Sequence, residues 1–253
     1  VPAIDLPNGT HMHYEIAGEG PVLLALAPGG LHSRSELWNY REDGRPRGGV
    51  SPVAAFAHRH TVLTLDQRNA GRSTAPISQS DGWQAYAEDH LLLLDALGIE
   101  RCHIIGACIG PSFALKIIEL APQRVLSAVL QQPIGKSDDN LQLRRQSFNS
   151  WSEKLLAQGR QLDMRVMAAI ERNLFGSDFV YSVSRDFVRA CATPLLVLPG
   201  NDARHPKAVG EEIAALAPNA RLFSDWDSAA GQALYAETLH TFFDSHNEPV
   251  GQP

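Results

Sequence analysis

Cysteine, positive charge and long apolar runs are all scarce in this chain, and each scarcity removes a class of function. The three cysteines, Cys102, Cys108 and Cys191, cannot all pair within one chain, and no two stand in C-x-x-C spacing. That usage points away from a disulfide scaffold and toward a reducing, cytoplasmic compartment. No apolar run approaches the ~20 residues that a membrane helix needs. The first residues, Val1-Pro2-Ala3-Ile4-Asp5, carry neither the basic nor the apolar stretch of a secretion signal. Lysine and arginine number 22 against 28 acidic residues, a formal net charge of −6, with both signs spread along the chain. Neither a nucleic acid nor an anionic membrane is an expected partner for such a surface. Neither G-x-G-x-x-G nor G-x-x-x-x-G-K-[ST] occurs, so no nucleotide cofactor is expected. The histidines are scattered without an H-x-x-x-H pair, and His11 and His13 alternate on a strand without cysteines nearby, so no metal site is expected.

What the chain does have is 253 residues with 44% hydrophobic side chains, enough for one large core and a single domain spanning 1–253. Oligomeric state is not encoded in any pattern, and monomer and homodimer stay open. Residues 4–16 read as a hairpin turning at Asn8-Gly9. Residues 22–27, 60–65, 102–105, 125–130 and 194–198 are short apolar runs of the kind found in strands covered on both faces. Residues 221–223 read as a last strand. Residues 51–57, 83–97, 111–120, 207–216 and 229–243 read as helices, with Gly98 as a C-terminal cap. Residues 33–49 read as a polar surface loop, and a polar tail follows Phe243. Residues 137–189 hold little strand signal and look helical. Strands alternating with helices imply a largely parallel, doubly wound sheet, whose active residues stand at the carboxyl ends of strands.

One pentapeptide organises the rest. Gly106-Ala107-Cys108-Ile109-Gly110 follows a strand and opens a helix. Such a turn holds its central residue near φ > 0 and crowds strand against helix, where only glycine fits on either side. Three other segments stand at strand ends: Pro28-Gly29-Gly30, Asp66-Gln67-Arg68-Asn69-Ala70-Gly71-Arg72-Ser73, and Gly200-Asn201-Asp202. With these, residues 4–243 resemble the α/β-hydrolase superfamily. The 66–73 run is similar to its D-x-R-G-x-G-x-S turn, with Asn69 where glycine is usual. The resemblance implies an α/β-hydrolase fold: a mostly parallel eight-stranded sheet flanked by helices, with a helical cap inserted between strands six and seven at 137–189.

It also implies site residues. Cys108 occupies the nucleophile position, where serine is usual. A thiol at the start of a helix has nearby amides that favour thiolate. The backbone amides of Ile109 and Gly30 correspond to the oxyanion hole. Asp202 corresponds to the triad acid. The family's histidine belongs after the last strand, and the segment there, Ser224-Asp225-Trp226-Asp227-Ser228-Ala229-Ala230-Gly231, has none. His205, three residues after Asp202, and His32, two after Gly30, are the candidates to replace it. His240 and His246 come too late, His103 packs inside the elbow strand, and His90 reads as a helix surface residue. Phe148, Trp151, Phe175, Phe179 and Tyr181 are candidate cap aromatics. Arg144 and Arg145 are a candidate anion contact, or simply a solvated face. Asp225, Trp226 and Asp227 are candidates to enter the pocket.

Two functions follow. The first is an enzyme in which Cys108 attacks a small ester, lactone, thioester or related carbonyl compound through a thioester intermediate, without a cofactor. The second is a catalytically degenerate scaffold that binds or senses a small molecule, which losing the usual histidine would favour.

Overall fold

The apolar runs become the strands of one sheet in a computed structural model, which describes residues 2–138 and 140–247. The polar tail is thus described as far as Asn247, and its remainder lies outside the described residues. The strands are β1 (Ala3–Asp5), β2 (His11–Ala17), β3 (Val22–Leu26), β4 (Thr61–Leu65), β5 (Cys102–Ala107), β6 (Val125–Gln131), β7 (Leu195–Leu198) and β8 (Ala220–Leu222). Their spatial order is β1-β2-β4-β3-β5-β6-β7-β8. The β1-β2 and β2-β4 pairs are antiparallel and all later pairs are parallel, with Leu24 of β3 opposite Leu63 of β4 and Ile104 of β5. The central strands are predominantly apolar because helices cover both faces, and their buried polar side chains are few, with His103 of β5 and Ser127 of β6 paired to each other at 2.8 Å.

The helices are α1 (Pro52–Phe56), α2 (Trp83–Ala96), α3 (Gly110–Leu120), α4 (Leu141–Ala157), α5 (Met164–Phe175), α6 (Arg185–Ala190), α7 (Lys207–Leu216) and α8 (Ala229–Asp244). The core divides accordingly. On one face α2 and α3 pack with side chains from α4, α5, α6 and α7, Tyr86 stacking on Phe113 at 5.0 Å. On the other, Phe56 of α1 and Tyr235, Leu239, Phe242 and Phe243 of α8 cover the sheet. Helices α4, α5 and α6 all lie between β6 and β7.

Two sequence expectations are corrected. Residues 33–49 are not simply a surface loop. A 3-10 turn at Ser35–Trp38 buries Leu37 and Trp38 against the sheet, and the Trp38 indole donates to the Ala25 carbonyl at 3.4 Å. His90 is not a surface residue. It is fully buried, its Nε2 lies 2.9 Å from Gln67 Oε1, and its ring meets the Phe113 ring. Helix α2 is covered on a second face by the 66–73 turn, which helical periodicity alone does not register. That turn explains Asn69 as well. Asn69 has φ 56°, a left-handed conformation that asparagine tolerates among non-glycine residues. Its Oδ1 accepts the Ala75 amide at 2.9 Å.

At the opposite end of the sheet, His60 is buried among Phe56, Phe243, His103 and His240, and neither of its ring nitrogens has a partner. Burial, then the neighbouring imidazoles of His103 and His240, push its pKa down to about 4. Burial likewise takes His90 to about 3. Folded-state values below the ordinary 6.5 mean that the unfolded chain binds protons first as pH falls. Stability is therefore full above pH 6.5 and declines below it, by about 2 kcal/mol per buried imidazole at pH 5. Thermal melts at pH 7.5 and 5 check this: His60→Phe should shrink the loss, and an unchanged loss refutes the assignment to His60.

Candidate active site

Strand β5 ends at Ala107 and α3 begins at Gly110, so Cys108 sits on the turn between them with φ 60°. The turn closes because its flanking residues lack side chains. A Cβ on Gly106 would lie 2.4 Å from the Gly110 carbonyl carbon, and one on Gly110 would lie 2.5 Å from the Leu26 carbonyl oxygen. Both peptide groups of Cys108 are held: its N–H donates to the Gln131 carbonyl at 3.0 Å, and its carbonyl accepts from Ile134 N–H at 3.2 Å. The residue is thus pinned in a conformation that costs a non-glycine residue energy, with its side chain presented to a cavity.

After β3 the chain passes through Gly29 (φ 121°) and Gly30 (φ 58°), and the N–H groups of both face the Cys108 sulfur. Two successive inward amides form a small anion-binding concavity. Of the two residues expected there, Gly30 contributes its amide. Ile109 follows the sulfur directly, with its side chain in the core. Gly29 is a contribution that sequence reasoning missed, although the double glycine was the available signal.

The loop between β7 and α7 carries both Asp202 and His205. Asp202 Oδ1 accepts the amides of Arg204 at 2.8 Å and His205 at 2.9 Å, and both carboxylate oxygens lie 3.0 Å from His205 Nδ1. The Asp202 side chain is 53% exposed and that of His205 13%. His205 packs over Gly200, where a Cβ would lie 2.3 Å from His205 Cβ. In the resting geometry His205 Nε2 has no hydrogen-bond partner. It nonetheless faces the Cys108 sulfur closely enough for each group to shift the other's proton affinity. Burial alone would raise the Cys108 thiol, but His205, then the Gly29 and Gly30 amides, outweigh it and hold the thiol below its ordinary value. Burial alone would lower His205, but the Cys108 thiolate and Asp202 raise it to about 9. Asp202 is held below the usual carboxylate range because the contacts with His205 and the two loop amides outweigh its partial burial.

The other sequence candidates are not paired with the sulfur. His32 ends the 3-10 turn Gly30–His32 and lines the cavity, but its Nε2 pairs with Ser150 Oγ at 3.2 Å, and burial lowers its pKa. Cys102 and Cys191 are buried, and burial pushes their thiols up, Cys102 to about 12. Asp225, Trp226 and Asp227 do not line the cavity. Trp226 and Asp227 brace the β7 loop from behind: the Trp226 indole donates to the Pro199 carbonyl at 2.8 Å, and Asn201 Nδ2 donates to Asp227 Oδ2 at 2.7 Å. The segment where the fold usually supplies histidine instead supports the loop that carries one.

Cys108, His205, His32, Gly29 and Gly30 open onto a cavity of about 580 Å³. Its outer wall comes from α4 and from the segment between α5 and α6. Of the five aromatics singled out between 137 and 189, Phe175 and Tyr181 line the cavity, while Phe148, Trp151 and Phe179 pack in the core. Among the described residues no group of three or more His, Cys, Asp or Glu is placed to hold a metal ion, and no helix is long and apolar enough to cross a membrane.

Known proteins share this architecture. Over 155 residues, 61% of the chain, it is 31% identical to a protein of Azorhizobium caulinodans named as a candidate carbamate hydrolase, RutD, and the match spans 52% of that relative's length. Two solved structures superpose over nearly the whole chain. One is the meta-cleavage product hydrolase CumD of Pseudomonas fluorescens IP01 (TM-score 0.68, 16% identity, 98% of each chain). The other is an enol-lactonase of Burkholderia xenovorans LB400 (TM-score 0.63, 20% identity, 96% of this chain and 100% of that one). The family model described as alpha/beta hydrolase fold matches residues 28–193, from the double glycine through the elbow to the threshold of β7, and on that match the chain belongs to the α/β-hydrolase family.

Proposed function

We propose that the protein is a hydrolase of small carbonyl compounds (esters, lactones or thioesters) that works through Cys108, His205 and Asp202. The observation that carries this reading is the imidazole of His205, bonded through Nδ1 to Asp202 and turned with its free Nε2 toward the Cys108 sulfur. A histidine reached from the β7 loop, rather than from the loop after β8, weakens the case for a binding-only scaffold.

The chemistry follows from the charge state. The raised His205 and the lowered Cys108 both shift the pair toward thiolate and imidazolium. The thiolate attacks the carbonyl carbon, a C–S bond forms, and the carbonyl π pair moves onto oxygen. The amides of Gly30 and Ile109, with that of Gly29 beside them, hold the oxyanion. A thiolate is also a good leaving group, so forward collapse needs a proton for the departing oxygen. His205 Nε2 carries that proton and delivers it as the C–O bond breaks. Water then attacks the thioester, His205 takes a proton from it, and breaking the C–S bond releases the acid and restores the thiolate. His32 remains a wall residue whose Nε2 is occupied by Ser150. Helices α4 to α6 act as a cap that selects the substrate.

Brief incubation with 4-nitrophenyl acetate, acid quench and intact-mass measurement should show one acetyl group, mapped to Cys108. Absence of a burst together with no label at Cys108 would sink the proposal. A Gly200→Ala variant tests the loop. Its Cβ would displace His205, and a shift near 1 Å costs on the order of 10²-fold in kcat/KM. Activity equal to the parent would mean that the imidazole position is irrelevant.

A further inference from the structure

The chain is acidic overall, yet the cavity is not: Arg47, Arg144 and Arg204 line it against one carboxylate, Glu42. The three arginines differ in what they already bind. Arg47 Nε donates to the Leu37 carbonyl at 2.7 Å. Arg204 is exposed on the β7 loop. Arg144 projects from α4, and its Nε and Nη2 are both buried without a hydrogen-bond partner among the described residues. Its Nη1 has only a long contact, 3.5 Å, to the Phe175 carbonyl. The guanidinium lies 5.0 Å over the Tyr181 ring, which fixes its plane, and the buried Tyr181 hydroxyl lies near enough to Arg144 and Asn140 to feel both but makes no well-formed hydrogen bond among the described residues. Tyr181 itself is held at φ 66°. Among the described residues no carboxylate pairs with Arg144. The neighbouring Arg145 is exposed, so the two arginines read together from the sequence are separated by the fold.

Burying guanidinium N–H groups without acceptors is unfavourable unless a ligand supplies them. The two orphaned nitrogens are the side-on pair of the guanidinium, whose parallel N–H groups match both oxygens of one carboxylate. We infer that Arg144 binds a carboxylate carried by the substrate, distinct from the carbonyl attacked by Cys108, with the Tyr181 hydroxyl as a further donor. The substrate class is then an ester, lactone or thioester bearing a free acid group, small enough for a cavity of about 580 Å³. The inference rests on the reading of Cys108 as nucleophile for its reaction, though not for its binding site.

Two measurements separate these. The first compares kcat/KM for the mono-4-nitrophenyl ester of glutaric acid with that for its methyl-capped counterpart. The parent enzyme should prefer the free acid by about 10- to 100-fold, mostly through KM. Arg144→Met should erase the preference and Arg144→Lys should keep only part of it, since a point charge lacks the fork. Arg145→Met, which removes the same charge from the exposed face, should keep all of it. The second measures glutarate binding by calorimetry in Cys108→Ala, with and without Arg144→Met. Binding should weaken at least ~10-fold when Arg144 is lost. A preference that survives Arg144→Met, a parent enzyme that favours the methyl-capped ester, or glutarate that binds equally or not at all in the two backgrounds overturns the inference. Should Cys108→Ala hydrolyse both esters at the parent rate while glutarate binding still depends on Arg144, the nucleophile reading fails and the carboxylate site stands.

Discussion

Cys108→Ala is expected to lower kcat/KM for any ester the protein hydrolyses by at least ~10³-fold while leaving the fold intact. The fold should survive because alanine meets the same backbone demand. At φ 60° neither residue is favoured, and the turn is held by the Gln131 and Ile134 backbone bonds and by the bare Cα atoms of Gly106 and Gly110. The activity should not survive because Cys108 is the nucleophile that His205 faces, and the other two thiols lie elsewhere. Cys102 and Cys191 are buried thiols with raised pKa. A second consequence separates this account from a binding role. Without the thiolate, His205 loses the larger of the two interactions that raise its pKa, so its imidazole should titrate below about 9. An NMR titration of His205 in the parent and in Cys108→Ala checks both statements. Cys108→Ser should also fall by at least ~10²-fold, because a hydroxyl cannot be pre-ionised and must lose its proton during attack. Retention of activity in Cys108→Ala would remove the covalent mechanism altogether.

The second large effect is expected at His205. In the parent, alkylation of Cys108 by iodoacetamide at pH 7 should be faster than that of an ordinary thiol, since its neighbours hold the thiol below its ordinary value. In His205→Asn the imidazolium is gone and burial pushes the thiol the other way, so the inflection of rate against pH should move upward. The thiolate fraction at pH 7 then falls, while each remaining thiolate is more nucleophilic, and the net slowing is roughly 10-fold. Ester turnover should fall further, by ~10³-fold, because the leaving oxygen also loses its proton donor. The two readouts thus diverge for a residue that is both charge partner and acid. The pH profile of the parent has a fixed sign. Activity rises as Cys108 ionises and falls as His205 loses its proton near pH 9, and these limits belong to the pair rather than to either group. An alkylation profile indifferent to His205→Asn would mean that the thiol is activated by the Gly29 and Gly30 amides alone. His32→Gln should leave the alkylation inflection in place, which distinguishes the two histidines that the sequence offered.

Much of this molecule was legible along the chain. Apolar runs of four to six residues read as covered strands, and their alternation with helices implied a largely parallel sheet, which is the sheet observed, though its spatial strand order was not legible. The elbow was legible because its demand is local: Gly106 and Gly110 are required by contacts at 2.4 and 2.5 Å that any side chain would violate. Asp202 was singled out after the strand at 194–198 by the family resemblance rather than by any steric demand of its own. The tertiary structure decided what depends on convergence. Whether His205 or His32 faces the sulfur is set by how the β7 loop folds over Gly200, how Trp226 and Asp227 brace it, and whether Ser150 of α4 occupies His32. Burial of a polar helix residue is decided the same way. His90 is buried because the 66–73 turn closes over α2, and Arg144 faces the cavity while Arg145 faces out. Local sequence dictates backbone geometry through sterics and periodicity, whereas the partner of a side chain is chosen by elements distant in the chain, and no spacing rule carries that information.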